Sequence, residues 1–183
     1  MRNNRWPRNH ESTTSDLYSK GFVFSRFRGP LLVAVAAVVA AACAPMGGAT
    51  PDSGSTMPAS IVEPYLAIQQ ALAEDRTDQI KANAGSIATA ATALGAPAMK
   101  IDTSALQLAG AVDAEQPDLK VVRERFGALS EAIDTYMTGL KLTPPDGVKS
   151  AWCPMAKKPW LQKDGAIANP YYGKEMPTCG NFR

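Results

Sequence analysis

The chain has 183 residues with three cysteines, a single histidine and a formal net charge of +2. Six basic and two acidic side chains lie in residues 1–42, so the rest of the chain carries a net charge near −2 and no basic patch of the kind that binds nucleic acid. Because His10 also lies in this leading segment, the remainder lacks the usual general base of enzymes and the commonest nitrogen ligand of zinc. No constellation of residues points to catalysis, so a protein that is not an enzyme is predicted.

The N-terminal segment has the pattern of a bacterial lipoprotein signal peptide. A basic leader precedes an uncharged apolar run at 31–42, which is shorter than the roughly 20 residues of an ordinary membrane-spanning helix. Three alanines stand directly before Cys43. We predict that residues 1–42 are removed and that Cys43 is lipidated, which anchors the protein on the periplasmic side of the cell envelope, with the outer membrane mildly preferred. The alternative is ordinary cleavage nearby, without a lipid on Cys43.

Residues 43–59 are rich in Gly, Pro, Ser and Thr, and their composition is typical of a flexible tether. Apolar side chains then recur at steps of three and four throughout 60–142, which predicts four amphipathic helices. The predicted helices span 60–74, 78–94, 103–113 and 117–141. Four such helices with short turns favour an all-α fold, an up-and-down four-helix bundle.

Residues 143–183 show little regular periodicity and are predicted to be an irregular Cys/Met/aromatic loop segment of the same domain. The second and third helices are rich in alanine and supply little apolar area to a core. The aromatic side chains of the tail are therefore expected to dock on the bundle and add to that core. They are Trp152, Trp160, Tyr171, Tyr172 and Phe182.

Two Cys–Met pairs flank the tail, Cys153 with Met155 and Met176 with Cys179. Residues two apart in an extended segment point to the same side, and a turn at 176–179 would bring the second pair together. Thiolates and thioethers are soft ligands that suit Cu(I) or Ag(I), whereas structural zinc is held by four Cys or His ligands. The pattern therefore indicates a sulfur-only metal site made by these four side chains.

The same cysteines also allow a Cys153–Cys179 disulfide, because export would place them in an oxidising compartment. The methionines would then be packing residues, and the protein would be a disulfide-stapled helical envelope lipoprotein that serves as a structural or interaction module. A thiol redox protein is disfavoured by the lack of a close Cys-x-x-Cys pair. The residues alone leave the metal site and the disulfide open.

The tail also resembles a bacterial exported domain family of unknown function, which occurs in addition fused to periplasmic adaptors of copper/silver efflux pumps. The residues that carry the resemblance are Cys153-Pro-Met-Ala, Trp160, Ile167-Ala-Asn-Pro-Tyr-Tyr-Gly and Met176-Pro-Thr-Cys-Gly. The resemblance is specific in the tail and only generic in the helices. It implies a helical periplasmic domain that handles heavy metals, with the four sulfur side chains as ligands. We therefore expect a lipid-anchored Cu(I)- or Ag(I)-binding protein for metal buffering, delivery or resistance, whose partner is a copper efflux or delivery protein.

Overall fold

Four helices and a small antiparallel sheet form the part of the chain that the computed structural model describes, residues 55–183. The helices are α1 (Ala59–Ala73), α2 (Ile80–Leu94), α3 (Met99–Ala111) and α4 (Leu119–Leu140). The strands are β1 (Val148–Cys153), β2 (Lys158–Lys163) and β3 (Asn181–Phe182), in the order β2-β1-β3. None of these helices is long and apolar enough to cross a membrane. The predicted signal peptide, the lipidation of Cys43 and most of the tether lie outside the described residues.

The all-α prediction is wrong, because the tail that was expected to be irregular contains the sheet. β1 and β2 form a hairpin that pairs from Val148 with Lys163 to Cys153 with Lys158. β3 pairs with the other side of β1. The sequence signal for these strands is weak, since β1 does not alternate cleanly between apolar and polar residues and β3 has only two residues. β2 also contains Pro159, which a sheet tolerates here because β2 is an edge strand.

The four predicted helices are present, with shifted ends. α3 begins at Met99 and not near Thr103, because a 3-10 turn at Ala96–Ala98 leads directly into it. α4 begins at Leu119, where the side chain of Asp118 accepts a hydrogen bond from the Lys120 backbone N–H at 2.8 Å. Consecutive helices pack against each other, as an up-and-down arrangement requires.

The hairpin packs between the first and the last helix, since β2 contacts both α1 and α4. Beneath it, Tyr65 of α1 stacks on Phe126 of α4 with ring centroids 5.1 Å apart, and Tyr171 from the tail lies 5.9 Å from Phe126. Trp160 of β2 meets Tyr171 edge to face at 6.0 Å and is only 1% exposed. The tail therefore supplies two of the four rings of this aromatic cluster, Trp160 and Tyr171, which bury large apolar areas.

Candidate metal centre

The two cysteines of the tail are neighbours in the fold. Cys153 is the last residue of β1 and is fully buried, while Cys179 lies two residues before β3 and is partly exposed. Because β3 pairs with β1, the returning chain places Cys179 beside Cys153, and the side-chain amide of Asn169 bridges the Cys153 sulfur and the Cys179 carbonyl. Both thiols are free. The site therefore brings together two sulfurs from segments that are distant in sequence.

The sulfur of Cys153 accepts two N–H donors. The backbone N–H of Ala156 donates to Sγ at 3.3 Å, and the side-chain Nδ2 of Asn169 donates to it at 3.3 Å. The first contact forms because the turn at 154–157 folds back over Cys153, with Lys157 in the left-handed region at φ 54°. Donors of this kind orient metal-bound thiolates and tune their charge.

The sulfur of Cys179 has a different environment. Desolvation raises the pKa of the Cys179 thiol above its ordinary value, and the charge and hydrogen bond of Cys153 raise it further, while the backbone amide of Met155 acts in the opposite direction. Two thiolates in contact repel each other, so one resists ionisation while the other is charged. A cation bound between the sulfurs removes this repulsion.

Asn169 connects both cysteines to the tail, and its side chain is fully buried. Besides its bond to the sulfur of Cys153, Nδ2 donates to the backbone carbonyl of Cys179 at 2.5 Å. Its Oδ1 accepts the backbone N–H groups of Tyr171 at 2.7 Å and Tyr172 at 3.3 Å. From the sequence, Asn169 was named only within the motif Ile167-Ala-Asn-Pro-Tyr-Tyr-Gly. That motif was the signal for its importance, but it did not show that the side chain reaches both cysteines.

Gly180 allows the backbone next to Cys179 to approach a buried ring. Its φ is +153°, and a Cβ atom at this position would lie 2.4 Å from Cη2 of Trp160 and 3.1 Å from the carbonyl oxygen of Trp152. Trp160 is itself held by a hydrogen bond of 3.0 Å from Nε1 to Oε1 of Gln162. The position of Cys179 is therefore determined by packing against the core.

Both predicted methionine ligands adjoin the cysteines through their backbones. The backbone amide of Met155 lies near Cys179 and acts to lower the pKa of its thiol, and the carbonyl of Met176 accepts the Cys179 N–H at 3.3 Å. The Met155 side chain is 61% exposed and that of Met176 is partly exposed. Within residues 55–183, no group of three or more His, Cys, Asp and Glu side chains is placed to hold a metal ion. The assembled centre is thus a pair of thiols.

Arg123 of α4 is a second residue that sequence reasoning missed. It attaches the segment that follows Asn169 to the helices. Its Nε donates to the carbonyl of Pro170 at 3.1 Å, and its Nη2 donates to the carbonyl of Leu72 at 3.2 Å. Nη2 also forms an ion pair of 2.5 Å with Asp75. Desolvation acts to raise the pKa of Asp75, but the hydrogen bonds from Arg123 and from the Lys174 backbone prevail and lower it.

No protein-family model, no curated protein and no solved structure matches this chain. The likeness to the exported family with the Cys-Pro-Met-Ala signature stays an expectation drawn from the residues. The function of the protein is therefore inferred from the geometry of the thiol pair.

Proposed function

We propose that this protein binds a soft monovalent ion, Cu(I) or Ag(I), between the sulfurs of Cys153 and Cys179. One observation carries the proposal: two free thiols from separate segments lie beside each other, and two N–H donors are directed at the sulfur of Cys153. Thiolates are soft ligands that favour Cu(I), zinc and iron–sulfur clusters. Zinc fits poorly, because a structural zinc site needs four Cys or His ligands and the described residues bring two together.

The charge of the site also favours a monovalent soft ion. Two thiolates with one Cu(I) carry a net charge of −1, and the N–H groups of Ala156, Asn169 and Met155 offset part of it. Met155 is exposed and lies in a turn, so its neutral thioether is free to join the ion without adding charge. Met155 and Met176 are therefore proposed as accessory ligands.

In the cell, we propose, a lipid on Cys43 holds this domain on the periplasmic side of the envelope. The support is the N-terminal pattern of a basic leader, a short apolar run and three alanines before the cysteine. The protein then buffers Cu(I) or Ag(I), or passes the ion to an efflux or delivery protein by ligand exchange. No chemical transformation of a substrate is involved.

The test is a Cu(I) titration of reduced, anaerobically purified protein against a chromophoric chelator. All samples carry Cys43→Ser, so that only the tail thiols compete. We expect one Cu(I) per chain, and loss of this binding in Cys153→Ser and in Cys179→Ser. The matched controls Met155→Leu and Met176→Leu should weaken binding by about tenfold or less if the thioethers are accessory. Unchanged affinity in either cysteine variant contradicts the proposal.

A structural disulfide is the second candidate, and it is favoured by the same contact together with the complete burial of Cys153. Closing a loop of about 26 residues would stabilise the fold by about 3.5 kcal/mol. The two hydrogens and two electrons would pass to a thiol–disulfide oxidoreductase of the envelope. Peptide mapping without reductant separates the two functions. A Cys153–Cys179 bond that resists mild reductant, with no metal uptake after full reduction, supports the structural module and contradicts the metal site.

A further inference from the structure

We propose that Cys179 is the exchanging sulfur of the pair and that Asn169 is the positioning residue that keeps Cys153 as the fixed one. This inference rests on the proposed function of the thiol pair, and it assigns a separate task to each sulfur.

The two cysteines differ in exposure and in how they are held. Cys153 is fully buried, is paired with Lys158 in the hairpin and has two N–H donors on its sulfur. Cys179 is partly exposed and lies outside any strand. A donor protein or a chelator can therefore reach the sulfur of Cys179, while that of Cys153 is covered.

The orientation of the Asn169 amide follows from its surroundings. Because Oδ1 accepts the backbone N–H groups of Tyr171 and Tyr172, a flipped amide would set its NH2 group against two donors. Nδ2 must therefore face Cys153 Sγ and the carbonyl oxygen of Cys179. Asn169 thus restrains Cys153 by its sulfur and Cys179 by its backbone carbonyl only.

Exchange then follows a fixed order. An incoming Cu(I) held by a donor thiolate first bonds to the Cys179 sulfur, whose proton passes to the thiolate that leaves. The sulfur of Cys153 completes the site as its own proton goes to solvent. Release reverses these steps, so the Cys179 bond is the last to break.

The test combines thiol modification with metal release, on the full chain carrying Cys43→Ser. Metal-free reduced protein is briefly treated with iodoacetamide, and each site is quantified by peptide mass mapping. The reaction is run at a pH high enough to ionise Cys179, whose pKa is raised. In the wild-type tail, Cys179 should then react about tenfold faster than Cys153 or more, because an accessible thiolate reacts and a buried cysteine is inert. Asn169→Asp and Asn169→Ser both lose the N–H donor to sulfur, and they differ in charge and size. Each should bring this ratio down toward one and release Cu(I) to a chelator roughly 10–100-fold faster.

Gln162→Glu is the matched control, since it changes another buried amide of the tail to an acid but keeps an oxygen that accepts the Trp160 Nε1–H, so the ring that packs on Gly180 stays held. It should lower the melting temperature and leave the modification ratio unchanged. Equal modification of both cysteines in the wild-type tail overturns the inference, as does a ratio that stays unchanged in the folded Asn169 variants or falls equally in Gln162→Glu. The modification step contains no metal, so a failure of this inference can be distinguished from a failure of the proposed function. A protein with the asymmetry but without Cu(I) binding overturns the proposed function, and one that binds Cu(I) without the asymmetry overturns only this inference.

Discussion

Replacing Gly180 by alanine tests whether packing against Trp160 places Cys179. Gly180 has a φ of +153°, which L residues rarely adopt, and an added Cβ would lie 2.4 Å from Cη2 of Trp160. The ring has little freedom to move, because it is 1% exposed, hydrogen bonded to Gln162 and part of a strand that contacts two helices. We therefore expect the substitution to displace the segment that carries Cys179.

The cost of Gly180→Ala has two parts. Holding a non-glycine residue in this backbone region costs about 1–3 kcal/mol, and forcing an extra carbon against a packed ring costs about another 1–3 kcal/mol. The free energy of unfolding should thus fall by at least about 2 kcal/mol, which corresponds to a drop in melting temperature of roughly 8 °C for a domain of this size. The displaced sulfur should also lower the Cu(I) affinity by about tenfold or more, since tenfold needs only about 1.4 kcal/mol.

Thermal unfolding followed by circular dichroism and the Cu(I) competition titration measure the two effects on the same samples. Gly139→Ala is the matched control, because Gly139 is exposed within α4 and an added Cβ would meet nothing within 4 Å. Alanine there should raise stability by about 0.5–1 kcal/mol. If Gly180→Ala is as stable as the wild type, the packing argument is refuted. If it is destabilised but binds Cu(I) as tightly as before, the placement of Cys179 does not depend on that packing.

Two further predictions concern the contacts that attach the tail to the helices. Arg123→Met removes two hydrogen bonds to backbone carbonyls and the partner of the half-buried Asp75. Urea unfolding should therefore show that the free energy of unfolding falls by about 2–3 kcal/mol. In the control Arg76→Met, where the lost ion pairs are exposed, it should fall by less than about 1 kcal/mol. Similar losses in both would contradict the role given to Arg123. Burial raises the pKa of Tyr65 well above its ordinary value of 10.0, so above about pH 10 the folded state keeps a proton that the unfolded chain loses. The free energy of unfolding is therefore unaffected by this group below about pH 10 and falls above it by up to about 1.4 kcal/mol per pH unit. Urea unfolding of Tyr65→Phe should therefore lose less stability than the wild type from about pH 9 to about pH 11, and equal losses would show that this titration does not matter.

The helices could be predicted from the sequence because their signals are local. Apolar side chains at steps of three and four mark one face, and residues such as Gly95 mark the ends without reference to the rest of the fold. The start of α3 was missed because the 3-10 turn at Ala96–Ala98 continues directly into it. Local propensity does not distinguish a turn that ends one helix from a turn that leads into the next.

The sheet could not be predicted because its strands depend on distant partners. Trp160 enters the core between α1 and α4, and the two residues of β3 become a strand only by pairing with β1. Pro159 argues against a strand in isolation, and only the edge position of β2 makes it acceptable. Tertiary packing therefore determined the structure of a segment whose own pattern is irregular.

The candidate site was only partly predictable for a related reason. Cys153 and Cys179 stand out because their side chains carry the chemistry, and the spacing of the two pairs suggested that they meet. Asn169 and Arg123 mainly donate hydrogen bonds to backbone carbonyls, and a sequence does not show which carbonyl a side chain will reach. The interpretation of Met155 as a ligand depended on side-chain direction, and the structure leaves that side chain mostly in solvent.

The proposed metal binding should be coupled to folding, because the segment that carries the thiols also completes the core. Trp160 and Tyr171 fill the space between α1 and α4, and the hydrogen bonds of Asn169 connect that packing to both cysteines. In the unfolded chain no packing holds the two sulfurs together, so an ion that needs both sulfurs binds mainly to the folded state. At a free concentration one thousand times its Kd, such an ion stabilises the fold by about 4 kcal/mol. Two cysteines on a mobile surface loop would bind the same ion without this gain, and the burial of Cys153 is the feature that separates the two cases.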